Sequence, residues 1–558
     1  MHKQKLTKNT FMQGAFIATF GIIISKILGM IYVIPFYSII GEQGGALYGY
    51  AYNIYSIFLS ISTAGIPLAI SSIVSEYNTL GYYNAKERTF RIAKRYLNIV
   101  GILSFLVIFI FAKDIAHMII GDISGGNSIE DITFVIRIIS FSILIVPTLS
   151  VYRGYLQGHK YITPTSISQV IEQVIRVSII IIGSFVAVKV LHMEIRYAVS
   201  CALVGATVGS LFSYLYLVYI RRKHREQINT DVEEDKIKIS NKAIIKKVLF
   251  YAFPFIFCDL CKSLYNSVDT FFVVKTLVKL DFDVKSAETV MGIISTWGNK
   301  LNMIVVAIGT GFAVSLIPNL SSSLAKKDKQ DFENKINLNF QALGYLVLPM
   351  AAGLSFLSLP VWNAFYGASN YGPIVFRFSI MVAIVTVFLS SVQIISLTLK
   401  EYKVLFVGVL LGLIFNAVFD IPLMYLCDKF TYGFYGATLS TILGHILTIT
   451  IILTYISKKY GYSFKNTYKR IGQAIFFTMV MIGVMSLVKL VIPLDTTNRI
   501  ESLLLVLLYA IIGGGTYLFL TYKAGLIKAI FGNNIINRFR RKRKEWYNGI
   551  LRINGRRI

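Results

Sequence analysis

Long apolar runs constrain the fold of this chain more than any other feature of its sequence. Hydrophobic residues make up 55% of the 558 residues. Fourteen apolar stretches are long enough to cross a bilayer as a helix, which takes about 20 residues. Their polar and apolar residues rarely alternate, unlike those of transmembrane barrel strands, and they contain glycine and serine freely. The sequence therefore predicts an all-α, polytopic membrane protein.

The predicted membrane spans are 11–33, 46–75, 96–113, 131–155, 163–190, 196–220, 244–276, 287–318, 336–360, 373–398, 402–427, 434–457, 470–492 and 500–522. Six spans, a long basic connection and six more spans in the same orientation would form a parallel repeat with a cavity between two lobes. The predicted parts are an N-lobe at 1–220, a basic linker at 221–243, a C-lobe at 244–460, two further helices at 461–524 and a basic tail at 525–558. We expect the protein to be a monomer.

The loops between the spans differ in charge according to the side of the membrane on which they would lie. If the amino terminus is inside, the cytoplasmic connections include "NAKERTFRIAKR" and "SKKYGYSFKNTYKR", which are basic, whereas the outer ones are short, mixed or acidic. Both termini are therefore predicted to be cytoplasmic. No small-residue cleavage site follows the first basic residues, so we expect no cleavable signal peptide.

The formal net charge of +28 suits a membrane surface better than nucleic acid. Most of the excess lies beside the inner ends of the spans and in the tail, where anionic lipids of the inner leaflet attract it. We therefore expect anionic membrane lipids as partners and no nucleic acid. The outer loops lack the clustered carboxylates or histidines that a membrane glycosyltransferase would need, so the sequence predicts a protein that is not an enzyme.

Two lysines lie near the middle of apolar spans, Lys26 in the first predicted span and Lys300 in 287–318. Because an ionisable group at membrane depth is energetically costly, such residues usually line a cavity or a pathway. A long lysine stem can instead carry its ammonium group to the interface, which becomes harder the farther the residue lies from the end of its span. Two ammonium groups facing one cavity would suit an anionic substrate, above all a phosphate.

A second group of polar residues in the spans carries oxygen atoms. Asn416 and Asp420 are four residues apart, so a helix places them on one face about one turn apart. Asp269 and Thr441 lie at a similar predicted depth in their own spans. Two carboxylates, an amide oxygen and a hydroxyl would form an oxygen site for an alkali or alkaline-earth cation. Alternatively, Asp420 is protonated or satisfied by an ordinary polar contact.

Two arginines and a glutamate in neighbouring spans suggest simpler roles. Glu172 and Arg176 are four residues apart, which predicts an internal ion pair that neutralises both charges. Arg153 lies near the end of its span, and we expect it at the membrane interface.

Three stretches resemble the polysaccharide-transporter branch of the multidrug/oligosaccharidyl-lipid/polysaccharide exporter superfamily. They are "SKILGMIYVIPFYSIIGEQGGALYGYAYNIYSIFLSISTAGIPLAISSIVSEYNTLG", "YRGYLQGHKYITPTSISQVIEQVIRV" and "SVDTFFV". The sequence is most similar to the MurJ-type lipid II flippases and SpoVB-like transporters, from about residue 11 to residue 520. The resemblance implies fourteen helices in the bacterial cytoplasmic membrane and alternating-access translocation of lipid II, the undecaprenyl-diphosphate-linked peptidoglycan precursor.

The resemblance also implies a cationic substrate cavity. Family members use a basic residue in an "S-R-x-L-G" motif, which matches Lys26 within "SKILG", and a basic residue early in the eighth helix, for which Lys300 is the nearest match. A further arginine that some relatives carry at the end of the first motif is Tyr32 here. The expected diphosphate-binding set therefore departs from the pattern of the family.

Some relatives carry a sodium site built from their seventh, eleventh and twelfth helices. The matching residues here are Asp269, Asn416, Asp420 and Thr441, with Ser440 as the alternative to Thr441. A sodium ion is the one cofactor that the resemblance implies. The alternative functions are a flippase for another undecaprenyl-diphosphate-linked oligosaccharide and a cation-coupled multidrug antiporter.

Overall fold

A computed structural model describes residues 17, 24–25, 28–63, 65–121, 123–228 and 239–532. Every regular element within these ranges is a helix, so the predicted all-α fold class is confirmed. Lys26, most of the first predicted span, part of the basic linker and the tail from residue 533 lie outside the described residues.

The helices of the first half of the chain are α1 (Val33–Thr63), α2 (Ile66–Leu80), α3 (Tyr83–Ile110), α4 (Ala112–Ile120), α5 (Ile129–Gly158), α6 (Ile162–Phe185), α7 (Ile195–Lys223), α8 (Arg225–Ile228), α9 (Asn241–Lys279) and α10 (Val284–Gly292). Those that follow are α11 (Gly298–Ala325), α12 (Lys329–Phe356), α13 (Ser358–Tyr366), α14 (Gly372–Ser379), α15 (Met381–Thr398), α16 (Tyr402–Asp428), α17 (Phe434–Tyr460), α18 (Lys465–Val491), α19 (Arg499–Lys523) and α20 (Leu526–Phe531). Two π-helical turns, Val186–Val190 and Ile293–Trp297, continue α6 and join α10 to α11.

Twelve helical segments of the described chain are long and apolar enough to cross a membrane. Eleven of them each overlap one predicted span, and the twelfth, Leu28–Leu80, covers 46–75 and the last residues of 11–33. The protein is therefore a multi-pass membrane protein. Two predicted spans have no segment of their own among the twelve. The span 11–33 lies mostly outside the described residues, and 244–276 falls in α9, a helix of 39 residues that carries charged residues within its apolar stretch.

The chain forms two compact units. The first comprises Met1–Lys300 and Val409–Gly444, and the second comprises Leu301–Gly408 and His445–Ile558. The division into an N-lobe and a C-lobe at 221–243 stays a prediction.

In the first unit α5 packs against α2 through two glycines of the "RGYLQG" stretch. A Cβ on Gly154 would lie 2.6 Å from the Pro67 carbonyl oxygen, and one on Gly158 would lie 2.7 Å from the Val74 Cβ. Small residues four apart let two membrane helices approach at backbone distance. The same interface buries aliphatic and aromatic side chains, Ile70, Leu149, Val151, Tyr155 and Leu156 among them.

In the second unit α12, α18 and α19 surround an apolar cavity of about 320 Å³. Its walls include Met350, Met481, Met485, Tyr345 and Tyr517. The Tyr517 hydroxyl donates to the Tyr345 carbonyl oxygen at 2.9 Å, which ties α19 to α12 beside the cavity.

Candidate functional site

Lys300 lies in the first turn of α11, directly after the π-helical turn Ile293–Trp297. Such turns often occur at functional sites because they change the register of the helix that follows. The half-buried Lys300 donates from Nζ to the Tyr32 hydroxyl at 2.9 Å. Its ammonium group also lies 5.1 Å from the centre of the Tyr32 ring and 6.0 Å from that of Trp297, within the range of cation–π attraction.

Aromatic side chains of α1 form the wall beside Lys300. Tyr48 stacks on Tyr52 with ring centres 5.7 Å apart, and Tyr48 lies 5.8 Å from Trp297. Gly45 and Gly49 let α1 approach closely, because a Cβ on Gly45 would lie 2.6 Å from the Trp297 Nε1 atom. The sequence "GGALYGYAY" thus packs the indole against the backbone of α1.

Arg176 also lies beside these tyrosines, with its guanidinium carbon 5.8 Å from the centre of the Tyr52 ring. Its Nε is buried and has no hydrogen-bond partner within the described part of the chain. The predicted Glu172–Arg176 ion pair is wrong, because Glu172 pairs with Arg153 of α5 at 2.6 Å. A spacing of four residues permits contact within one helix, but here the carboxylate of Glu172 turns to the neighbouring helix.

The expected interfacial depth of Arg153 stays a prediction, but its side chain contacts protein groups. Besides the Glu172 carboxylate, Arg153 donates to the hydroxyls of Ser168 at 3.1 Å and Ser213 at 3.0 Å. Its side chain is only 17% exposed. Arg153 is therefore held within the helix bundle of the first unit, and Glu172 is used to neutralise it.

We name Lys300, Arg176, Tyr32, Tyr48 and Tyr52 the cation–tyrosine cluster. Both cations lie close enough to Tyr48 and Tyr52 to interact electrostatically with them. Among the described residues, no ion pair involves either cation. A guanidinium, an ammonium group and tyrosine hydroxyls are hydrogen-bond donors suited to phosphate oxygens.

The structure also brings together the oxygen-bearing residues of α9, α16 and α17, and we name this set the acidic site: Asp269, Asn416, Asp420, Ser440 and Thr441. All five side chains are buried. Asn416 donates from Nδ2 to the hydroxyl oxygens of Ser440 at 2.7 Å and Thr441 at 3.1 Å. The Ser440 hydroxyl donates to the Asp420 Oδ1 atom at 2.9 Å. Both hydroxyls lie at the site, and which of them would bind a cation stays a prediction.

Three oxygen atoms of the acidic site have no hydrogen-bond partner among the described residues. They are Oδ1 of Asp269, Oδ1 of Asn416 and Oδ2 of Asp420. A buried acceptor without a partner destabilises a fold by about 1–3 kcal/mol. The carboxylates of Asp269 and Asp420 also interact electrostatically with each other. Two carboxylate oxygens and one amide oxygen without other partners among the described residues fit a hard cation held by oxygen ligands.

Glycines explain how α16 and α17 approach closely enough to form the acidic site. A Cβ on Gly436 would lie 2.2 Å from the Met424 backbone nitrogen, and one on Gly444 would lie 2.6 Å from the Gly412 carbonyl oxygen. In both places the obstacle is backbone, which cannot move aside as a flexible side chain can. The two helices therefore touch along their main chains.

Sequence reasoning missed a third buried polar group, Glu288 of α10. Its carboxylate accepts from the Asn127 backbone at 3.0 Å, from the Asn127 Nδ2 at 2.9 Å and from the Tyr50 hydroxyl at 3.3 Å. A Cβ on Gly126 would lie 2.5 Å from the Glu288 Oε2 atom. The available signal was the glycine pair in "SGGNS", which lets a loop approach a side chain closely.

Comparisons with known proteins agree with the fold. A family model described as "Polysaccharide biosynthesis protein" matches residues 11–324, more than half of the chain. The lipid II flippase MurJ of Bacillus subtilis (strain 168) is 29% identical over 545 residues, which cover 95% of this chain and 98% of that protein. Stage V sporulation protein B of the same organism is 25% identical over 373 residues, covering 65% of this chain and 68% of that protein.

A solved structure of lipid II flippase MurJ in an inward closed conformation has a TM-score of 0.62 to this chain at 16% identity. The match covers 91% of this chain and 99% of that one, so the two share a fold. The resemblance to MurJ-type and SpoVB-like transporters is therefore confirmed. The chain belongs to the polysaccharide biosynthesis protein family of membrane transporters.

Proposed function

We propose that this protein is a flippase that moves lipid II from the inner to the outer leaflet of the bacterial cytoplasmic membrane. The cation–tyrosine cluster carries the proposal, because Lys300 and Arg176 are two cations in a membrane protein that no carboxylate neutralises among the described residues. Uncompensated charge at membrane depth usually marks a substrate site. A relative that is 29% identical over nearly the whole chain is a lipid II flippase, which supports the choice of substrate.

In this proposal the diphosphate of the substrate binds at Lys300, Arg176 and Lys26. The Arg176 guanidinium can hold a phosphate with two parallel hydrogen bonds, whereas Lys300 contributes a point charge. Tyr32 stands where some relatives have arginine, and its hydroxyl already accepts a hydrogen bond from Lys300 at 2.9 Å. Tyr32 would therefore hold the ammonium group in position for the substrate.

The chain would cross the membrane fourteen times, with both termini in the cytoplasm. Gly41 has a φ of 66° and a ψ of −168° and so interrupts α1, which fits a first crossing that ends there and a second that continues to Leu80. Among the remaining helices α9, with 39 residues, is long enough to be a further crossing. The protein would work as a monomer by alternating access, without covalent chemistry.

The acidic site would hold a sodium ion. Asp269 Oδ1, Asn416 Oδ1 and Asp420 Oδ2 would be its ligands, because these buried oxygens lack other partners among the described residues. Ser440 would keep Asp420 oriented by donating to its other oxygen at 2.9 Å. The bound ion would supply the positive charge that allows both carboxylates to stay ionised in an apolar surrounding. A sodium gradient could then bias the transport cycle.

A flippase for another undecaprenyl-diphosphate-linked oligosaccharide is the second candidate. The cation–tyrosine cluster favours it as much as lipid II, because its donors suit the diphosphate and not a particular sugar. The same positive charge argues against an antiporter for cationic drugs, which Lys300 and Arg176 would repel.

Complementation tests the proposed function. The chain should support growth of a Bacillus subtilis strain that lacks lipid II flippase activity, and Lys300→Gln should not, while Lys300→Arg retains part of the rescue. If the well-expressed wild-type chain fails to restore growth, and the outer leaflet still lacks lipid II, the substrate is not lipid II.

A further inference from the structure

A basic groove lies at the end of α3, away from the cation–tyrosine cluster and the acidic site. Its open cavity of about 540 Å³ lies between α3 and the first turns of α9. Its lining includes Arg88, Arg91, Arg95, Tyr96, Ile99 and Asn241. We call this cavity the arginine groove.

The three arginines lie on one face of α3, because their spacings of three and four residues match the helical period. Arg88 is fixed, since its Nε and Nη2 atoms both donate to the Asn241 Oδ1 atom, the former at 3.2 Å. Arg91 and Arg95 are exposed and make no ion pair with any described residue. The groove thus contains one arginine held by Asn241 and two guanidinium groups that pair with no carboxylate of the described residues.

No acidic side chain of α3 balances this charge. Glu87, the single acid of the helix, faces away and pairs with Arg221 at 3.0 Å. The Tyr155 hydroxyl donates to the same carboxylate. The groove therefore carries about three positive charges that this helix leaves unpaired.

An apolar, lipid-facing surface continues directly from the arginines along α3. Tyr96, Ile99, Ile102 and Leu103 are 50%, 48%, 50% and 56% exposed, although they belong to a segment that is apolar enough to cross the membrane. Exposed apolar side chains on such a helix face acyl chains, and a tyrosine is typical of the headgroup level. The arginines therefore lie at the depth of lipid phosphates, with acyl-chain contacts beside them.

We propose that the arginine groove binds the headgroup of an anionic phospholipid. Arg91 and Arg95 would clamp its phosphate, Arg88 would be held beneath it by Asn241, and the acyl chains would lie along Ile99 and the apolar face beyond. Basic pockets between membrane helices bind anionic headgroups in this manner. The site is independent of the proposed flippase activity and of the cation–tyrosine cluster.

The test measures binding of dioctanoyl phosphatidylglycerol to the purified full chain in detergent, with dioctanoyl phosphatidylcholine as the neutral comparison. The wild type should prefer phosphatidylglycerol at least about 10-fold, and Arg91→Gln/Arg95→Gln should weaken that binding about 30-fold. The matched control Arg222→Gln/Lys223→Gln removes two charges at the basic end of α7 and should change binding less than about 3-fold. Equal losses in both variants, or no preference for phosphatidylglycerol, would overturn the proposal.

Two further measurements test whether the groove binds a phospholipid or another molecule. Arg91→Lys/Arg95→Lys keeps the charges and should retain most of the phosphatidylglycerol affinity, which distinguishes a lost site from a misfolded protein. A short-chain polyprenyl diphosphate should not displace phosphatidylglycerol; if it does, the groove belongs to the transport substrate and the proposal is wrong.

The acidic residues of the connection before α9 lie outside the described residues: Asp231, Glu233, Glu234 and Asp235. Their replacement by Asn and Gln should leave phosphatidylglycerol binding unchanged. A gain of about 10-fold or more would show that the connection itself fills the groove, against the proposal.

Discussion

The cation–tyrosine cluster and the acidic site are both polar groups of the first unit, but the two cations of the cluster are half-buried whereas the acidic site is fully buried, and their hydrogen bonding differs. In the cluster, Lys300 has a hydroxyl and two ring faces as partners, and Arg176 has a ring face. In the acidic site, three buried oxygens have no partner within the described chain. Among the described residues, the cluster has one such unpartnered atom, the Arg176 Nε, and the acidic site has three, so the acidic site should gain more stability when its ligand binds.

The largest effect is expected for the loss of a cation from the cluster. Arg176→Gln should weaken binding of undecaprenyl diphosphate to the purified protein by about 30-fold or more, because losing one member of a buried charge pair costs about 2–5 kcal/mol. Isothermal titration calorimetry would measure the affinity of both proteins for undecaprenyl diphosphate. Arg153→Gln, which removes a neutralised arginine of the same unit, is the comparison variant and should affect the affinity much less. Equal effects of the two substitutions would mean that Arg176 does not contact the diphosphate.

The second prediction concerns the acidic site. Sodium at 100 times its dissociation constant should stabilise the wild type by about 2.7 kcal/mol, measured as a rise in melting temperature relative to choline. Asp420→Asn should abolish most of that rise, because it removes one charge and the Oδ2 ligand. Lys300→Gln should keep the whole sodium response, since the cluster does not bind sodium. A wild type that sodium leaves unchanged would contradict the cation assignment.

A smaller effect is expected for the glycines that support the acidic site. Gly436→Ala should lower the free energy of unfolding by about 1–3 kcal/mol, because its Cβ would meet backbone atoms of α16 at 2.2 Å. Gly514→Ala, where no atom lies within 4 Å, is the matched control and should not destabilise the protein. Thermal unfolding with and without sodium would show whether the helix contact also sets sodium affinity.

The smallest effect is expected for a charged group outside the spans, Glu401. Partial burial raises its pKa, but hydrogen bonds from Lys459 at 2.5 Å, Tyr460 at 2.5 Å and Tyr455 at 3.2 Å outweigh burial, so its pKa is lowered. A lowered pKa in the folded state means that the ionised group stabilises the fold above the unfolded pKa of about 4.3. This contribution is lost as the pH falls through the folded value.

Glu401→Gln should therefore lower stability by a few tenths of a kcal/mol at neutral pH. The difference from the wild type, measured by thermal melting, should shrink as the pH falls below about 4.3. A difference that grows on acidification would reverse the sign of the pKa shift. Glu401→Gln should not change the sodium response of the acidic site or the diphosphate affinity of the cation–tyrosine cluster.

The sequence predicts features that depend on helical period and on depth. The four-residue spacing of Asn416 and Asp420 places both on one face of α16, and their agreement in depth with Asp269 and Thr441 anticipates the acidic site. Lys300 contacts the Tyr32 hydroxyl, while its predicted place in a substrate cavity stays a prediction. Period and depth are local properties, so a single sequence contains them.

Features that depend on how one helix is rotated against another could not be predicted in the same way. Glu172 pairs with Arg153, 19 residues away, and not with Arg176, because the rotation of α6 turns its carboxylate to α5. Glu288 and Asn127 are 161 residues apart, and nothing in either local sequence names the other as its partner. Only the packed structure identifies these contacts.

Transport in proteoliposomes tests the central claim most directly. The protein is reconstituted with fluorescent lipid II, and an impermeant reagent reports how fast the headgroup changes leaflet. Wild type and Lys300→Arg should move lipid II, and Lys300→Gln should be slower by at least about 10-fold, because one positive charge of the cluster is lost. Wild-type vesicles without movement, or a Lys300→Gln variant as fast as the wild type, would contradict the account.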